Sequence, residues 1–113
     1  MHELYVTEQL LNITLEQAEK ANAGRVMRVN LVIGELTSFT EESIRFYFNI
    51  LTEGTKAEKA SLSISRMPAR ARCGQCRIEF TPKETNWFCP RCGGFFEDII
   101  SGREFYVASI EIE

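Results

Sequence analysis

The spacing of apolar residues changes period several times along the chain, and each change marks an element. From Leu4 to about Ala23 there is no glycine or proline. Leu4, Leu11, Leu15 and Ala18 recur at helical spacing, and Glu8, Glu16, Glu19 and Lys20 fall largely elsewhere. This pattern predicts an amphipathic helix that ends near Asn22 to Gly24. Arg25 to Leu36 then alternates, with Met27, Val29, Leu31 and Ile33 on one face and Arg28 and Asn30 on the other, which predicts a strand. Ser38-Phe39-Thr40-Glu41 has the S-x-x-E form of a capping box. Ile44, Tyr47, Phe48 and Leu51 follow at helical spacing, so a second helix is expected with Gly54 as its stop. Alternation returns in residues 61–66, with Leu62 and Ile64 inward, and again in 104–113, with Tyr106, Ala108, Ile110 and Ile112 on one face. The order helix, strand, helix, strand, strand gives an α+β fold: a small sheet of three strands with two helices. An insert at about residues 69–101 lies between the last two strands. The expected organisation is an α/β body of residues 1–68 plus 102–113, interrupted by that insert.

The insert holds every cysteine in the chain. Cys73 and Cys76 form one C-x-x-C, and Cys89 and Cys92 form another, followed by two glycines. In each, two sulfurs can share one turn with backbone N–H groups aimed at them. Two facing knuckles supply four thiolates to a tetrahedral Zn²⁺ at roughly 2.3 Å. Pro90, Gly74, Gly93 and Gly94 are residues such turns use. The competing readings are two disulfides, which suit a secreted chain, and a redox dithiol, which needs only one C-x-x-C. A closed four-thiolate site leaves no position for an activated water, so the expected role is structural. Ile78, Phe80, Trp87, Phe88, Phe95 and Phe96 would form its small apolar layer. So short an insert lacks core, and zinc would contribute on the order of 10 kcal/mol or more to its folding.

Charge narrows the partners. The chain of 113 residues has a formal net charge of −3 and a pI near 5.3. Residues 66–103 carry seven Lys/Arg against four acids, and the remainder carries six against twelve. Four thiolates on a divalent ion subtract two from that excess, which leaves a poor footprint for nucleic acid. No apolar run approaches the roughly 20 residues of a membrane span. The start, HELYVTEQ after Met1, lacks the basic residue and apolar run of a secretory signal, so a cytoplasmic chain is expected.

The single histidine of the chain is His2. A terminal amine on Met1, the amide nitrogen and imidazole of His2 and the backbone amide of Glu3 can surround one metal in a plane of nitrogens. That donor set suits Ni²⁺ or Cu²⁺ rather than Zn²⁺. The first N–H groups of a helix have no intrahelical acceptor, so using them costs no ladder bond.

Met1-His2-Glu3-Leu4, the strand ending Ile33-Gly34-Glu35-Leu36, the helix end Leu51-Thr52-Glu53-Gly54-Thr55, the C-x-x-C pair and the final Ser109-Ile110-Glu111-Ile112 follow in an order that resembles the HypA family of hydrogenase nickel-incorporation proteins. The resemblance spans the chain. It implies a nickel metallochaperone for [NiFe]-hydrogenase maturation, not an enzyme, with His2 as a nickel ligand and Cys73, Cys76, Cys89 and Cys92 as structural zinc ligands. The body of the fold would then be the nickel-binding part, and Ni²⁺ a transient cargo. The implied partners are the GTPase HypB and the hydrogenase large subunit; because the first helix keeps Glu8, Glu16 and Glu19 outward beside the metal-bearing terminus, HypB is expected to dock near that end. Neither nucleic acid nor membrane is expected as a partner, and a homo-oligomer is compatible with the sequence. A histidine within the ribbon, present in some members, is absent here. Two other readings stand beside this one: a zinc ribbon that binds nucleic acid, opposed by the acidic body, and a rubredoxin-like carrier with iron in the same knuckles.

Overall fold

The structure, a computed structural model, describes residues 2–83 and 86–113. Its elements are α1 (His2–Lys20), β1 (Val26–Gly34), α2 (Glu41–Leu51), β2 (Ser61–Met67), β3 (Arg70–Cys73), β4 (Glu79–Phe80), β5 (Phe96–Ser101) and β6 (Phe105–Ile112). The three strands expected from alternation form one sheet in the order β2-β1-β6, and β3, β4 and β5 form a second in the order β4-β3-β5. The fold is α+β, as the patterning predicts. The second sheet was not expected, because two of its strands have only two and four residues, too short to display a period, and the six of β5 do not alternate cleanly between apolar and polar. No helix among the described residues is long and apolar enough to cross a membrane.

The chain forms two compact units. One comprises residues up to Val32, Ser38–Ser65 and Phe105–Glu113; the other comprises Ile33–Thr37 and Arg66–Glu104. In the first, α1 packs on α2 and on β6. The buried face of α1 includes Leu10, Leu11 and Ala18, and also two polar residues, Thr7 and Thr14. Both hydroxyls donate to carbonyls one turn back, Thr7 Oγ1 to Glu3 at 2.5 Å and Thr14 Oγ1 to Leu10 at 2.9 Å. That satisfies them inside the core. The helix ends with Asn22 at φ 55°, and Ala23 N donates to Ala18 O at 3.0 Å while Asn22 N donates to Glu19 O at 3.0 Å. This is the left-handed cap in which residues past the end satisfy the last carbonyls. The start of α2 departs from expectation. Thr40, not Ser38, is the N-cap, with extended backbone and its side chain accepting from Ser43 N at 3.2 Å. Its end lies at Thr52, whose N–H returns to Phe48 O at 3.0 Å, ahead of Gly54.

Two strand faces are also corrected. In β1, Val29, Leu31 and Ile33 are buried as alternation requires, but Met27 is 41% exposed and Val26 is buried in its place. Val26 is tied down by its N–H to Lys56 O at 2.8 Å. In β6, Tyr106, Ala108 and Ile112 are exposed. The strand lies at the sheet edge, where cover is incomplete. Its cross-strand polar pairs are Asn30 Nδ2 to Ser109 Oγ at 2.9 Å and Arg28 with Glu111 at 3.7 Å.

In the second unit, β3 runs antiparallel to both neighbours, with Ala71 opposite Phe80 and Ile99, and Arg72 opposite Glu79 and Asp98. Arg72 pairs with both acids, at 3.5 Å and 3.8 Å. Opposite charges facing each other across strands help to fix this register. Residues 33–37 are held by main-chain bonds on two sides: Gly34 N to Glu104 O, Glu35 N to Met67 O and Leu36 N to Gly102 O, at 2.7, 2.9 and 2.7 Å. The Glu35 carboxylate also accepts from Ala69 N at 2.7 Å.

Candidate metal centre

The turns after β3 and before β5 repeat one design. Cys73 N donates to Ile78 O at 2.9 Å, and Cys89 N donates to Gly94 O at 2.7 Å. Inside each loop an N–H reaches the first sulfur, Gln75 N to Cys73 Sγ at 3.3 Å and Arg91 N to Cys89 Sγ at 3.4 Å. The residue after the second cysteine takes the left-handed conformation in both, Arg77 at φ 68° and Gly93 at φ 78°. Glycine adopts that region without a Cβ clash. Arg77 adopts it with its guanidinium paired to the Glu97 carboxylate.

These turns bring all four sulfurs together, with each ligand atom within 4.8 Å of every other. Cys73 Sγ lies 3.4 Å from Cys92 Sγ, and Cys76 Sγ lies 3.7 Å from Cys89 Sγ. Disulfide sulfurs are about 2.05 Å apart, so none of these contacts is one. Four thiolates about 2.3 Å from a central ion would stand roughly 3.8 Å from one another, close to what the knuckles provide. The cluster can therefore hold one tetrahedral metal ion. Cys73 and Cys89 are buried, Cys76 is half-buried and Cys92 is exposed.

The backbone spreads the thiol acidities. The N–H groups of Cys76 and Gln75 lower Cys73 to about 6. At Cys89 burial is the largest influence and pushes the thiol up, but the N–H groups of Cys92 and Arg91 together bring it below its ordinary value. Cys92 has the help of Gly94 N–H, yet rises to about 11, because the sulfur of Cys73, burial and the other two sulfurs oppose a further negative charge. Donors aimed at sulfur favour the first thiolates, and mutual repulsion resists the last, which a cation bound among the four sulfurs would relieve.

The apolar layer expected around the sulfurs is partly as foreseen. Ala71, Cys73, Phe80 and Cys89 form a buried cluster, with Ile78, Cys76, Trp87 and Phe96 packed against it. Phe88 and Phe95 do not belong to it: each is 55% exposed. They bridge to one another through the backbone, and their rings meet edge-on at 5.3 Å.

The other sequence-derived site lies in the first unit. His2 is exposed and is the first residue of α1, and Glu3 is half-buried in the first turn. The Met1 amine, expected to complete this site, lies outside the described residues. On the outer face of α1, Glu8 is exposed, Glu16 pairs with Lys20 at 3.3 Å and Glu19 with Lys56 at 2.5 Å. The hydrogen bond and charge of Lys56 hold the Glu19 carboxyl below its ordinary value.

Comparison with known proteins gives a consistent result. The family model described as hydrogenase/urease nickel incorporation, metallochaperone, hypA matches residues 1–112. A hydrogenase maturation factor HypA from Caldanaerobacter subterraneus subsp. tengcongensis is 44% identical over 116 residues, covering all of both chains. One from Dehalococcoides mccartyi is 42% identical over 113 residues, covering all of this chain and 95% of that one. Among solved structures, the solution structure of a HypA protein is 26% identical with a TM-score of 0.77, covering 100% of this chain and 97% of that one. The Ni metallochaperone HypA from Helicobacter pylori has a TM-score of 0.68 at 24% identity, covering 97% and 96%, a likeness of fold.

Proposed function

The chain belongs to the HypA family of nickel-incorporation metallochaperones and acts in hydrogenase maturation, and from that premise we propose where it carries its metals. Ni²⁺ is cargo, held by the Met1 amine, the amide and imidazole of His2 and the amide of Glu3. The observation that carries this reading is that α1 begins at His2 with the imidazole exposed. The first N–H groups of a helix lack intrahelical acceptors, so these nitrogens can give up protons to a metal without undoing the helix. An open terminal site of this kind can pass its ion on by ligand exchange.

Zn²⁺ is the resident ion of Cys73, Cys76, Cys89 and Cys92. Its donor set and the sulfur spacing suit a closed tetrahedron. Zinc there would hold the two knuckles together and offer no open position for chemistry. The chain is a carrier and not an enzyme, located in the cytoplasm, with HypB and the hydrogenase large subunit as partners. Family membership sets the nucleic-acid and rubredoxin-like readings aside. HypB docks near α1, where Glu8 is the acid of the outward face that has no recorded ion pair among the described residues. Unchanged HypB binding in a Glu8→Lys, Glu16→Lys variant would remove that docking site.

Calorimetric Ni²⁺ titration tests the delivery site. The protein with a free Met1 amine binds, whereas His2→Ala and a version extended by two residues before Met1 lose affinity to a similar degree. Equal affinity in all three would overturn the assignment. Binding requires a neutral imidazole and releases amide protons, so it weakens on acidification and its heat depends on buffer.

A further inference from the structure

Phe88 and Phe95 are the residues that the metal layer leaves over. Both rings are more than half exposed, and neither packs in the buried cluster beneath the sulfurs. Together with Leu36, Trp87, Phe96 and Ile99 they line a cavity of about 460 Å³, and among the described residues the charged one on its wall is Arg103. Cavities of roughly 300 Å³ or more lined by aromatic and aliphatic groups with one placed polar group are the usual form of a binding pocket. Exposed aromatic rings gathered in one patch are a feature of docking surfaces.

Arg103 sets the chemistry of the occupant. Among the described residues of this unit the acids have partners of their own: Glu79 with Arg70 and Arg72, Glu97 with Arg77, Asp98 with Arg72, Glu35 with Ala69 N–H and Glu104 with Gly102 N–H. No ion pair among the described residues involves Arg103, so its guanidinium, a fork suited to a carboxylate, stands at the edge of an apolar cavity. One cation is too little for a phosphate backbone, which is held by several.

We propose that this cavity docks a segment of a protein partner in which an aromatic or branched aliphatic side chain stands next to a carboxylate. The apolar side chain enters between Phe88, Phe95 and Trp87, and the carboxylate meets Arg103. The proposal does not depend on where nickel is bound.

Trp87 is the only tryptophan in the chain and lines this cavity, so its fluorescence is a probe of an occupant. The test is a titration of zinc-loaded full-length protein with acetyl-Gly-Glu-Phe-Asp-Gly-amide, beside a peptide with Gln and Asn for the acids and one with Gly for Phe. The acidic Phe peptide shifts Trp87 emission saturably, and each control peptide binds at least about five-fold more weakly, as loss of a complementary contact requires. Arg103→Ala weakens the acidic peptide to the level of its amide control. Arg103→Glu transfers the preference to a peptide with Lys for the acids. Phe88→Ala, at an exposed position, weakens all of them with zinc content unchanged. Unmoved emission, or equal affinity for acidic and amide peptides, overturns the proposal. So does a Trp87 signal that follows protein concentration alone together with dimer sedimentation, since a second copy would then be the occupant.

Discussion

Gly34 lies so close to Gly102 that a Cβ on it would stand 2.1 Å from the Gly102 carbonyl oxygen. The close approach belongs to the main-chain bonding that holds residues 33–37: Leu36 N reaches that same oxygen at 2.7 Å. Gly34→Ala must therefore push backbone apart and strain this bond. It should cost about 2–3 kcal/mol, the scale of overpacking at a rigid contact. Urea denaturation of the zinc-loaded variant measures it, and an unchanged midpoint would mean that the contact relaxes freely.

Replacing any one of Cys73, Cys76, Cys89 or Cys92 by Ala should release the metal and loosen the second unit. Its buried cluster consists of Ala71, Cys73, Phe80 and Cys89, so half of its members belong to the proposed zinc site. Without an ion that core holds the segment only weakly. The first unit, with Leu10, Val29, Ile44 and Phe48 buried, should keep its slowest-exchanging amides. Metal analysis and hydrogen exchange read the two effects separately.

Metal-free protein should show a stability maximum near the ordinary thiol value of 9.0. Cys73 is lowered to about 6, so its thiolate stabilises the folded form above 9.0, and that contribution fades as pH falls from 9.0 through 6. Cys92 is raised to about 11 and acts in the opposite sense: its stabilising contribution is full below 9.0 and is lost as pH rises through 11. Thiolate absorbance of the chelator-treated protein should therefore rise in widely separated steps. A single step near the ordinary value would show that the N–H donors do not act on the sulfurs without metal.

Thr40→Ala should weaken α2 by about 1 kcal/mol, because the Ser43 N–H loses its acceptor. Ser38→Ala should have little effect. Thermal unfolding of the pair separates the two candidate caps.

The helices and the three long strands could be read from the chain because each repeats its period several times, and the gathering of the four cysteines because their spacing brings two knuckles together. Most of what escaped depends on partners distant in sequence, and part of it on side-chain bonds one helical turn away. Val26 rather than Met27 is buried because Val26 is bound to Lys56. Thr7 and Thr14 are polar yet buried, since each hydroxyl finds a carbonyl four residues back. The role of Gly34 exists only against Gly102, and nothing in the local sequence marks it. The six aromatic and apolar residues around the knuckles divide into buried Phe80 with half-buried Ile78, Trp87 and Phe96, and the exposed pair Phe88 and Phe95, a division that composition does not reveal.

The two knuckles are copies of one another, with residues 73, 76, 77 and 78 of the first matched by 89, 92, 93 and 94 of the second. Each copy presents two sulfurs and so would grip an ion in two places by itself. Capture and escape of the metal should then run through a state in which one copy holds it and the other has let go. Cys92 is the exposed sulfur of the four, so release should begin in its copy. Under a competing chelator and a thiol-alkylating reagent, Cys92 and Cys89 should be modified before Cys73 and Cys76, an order that mass spectrometry can resolve in time.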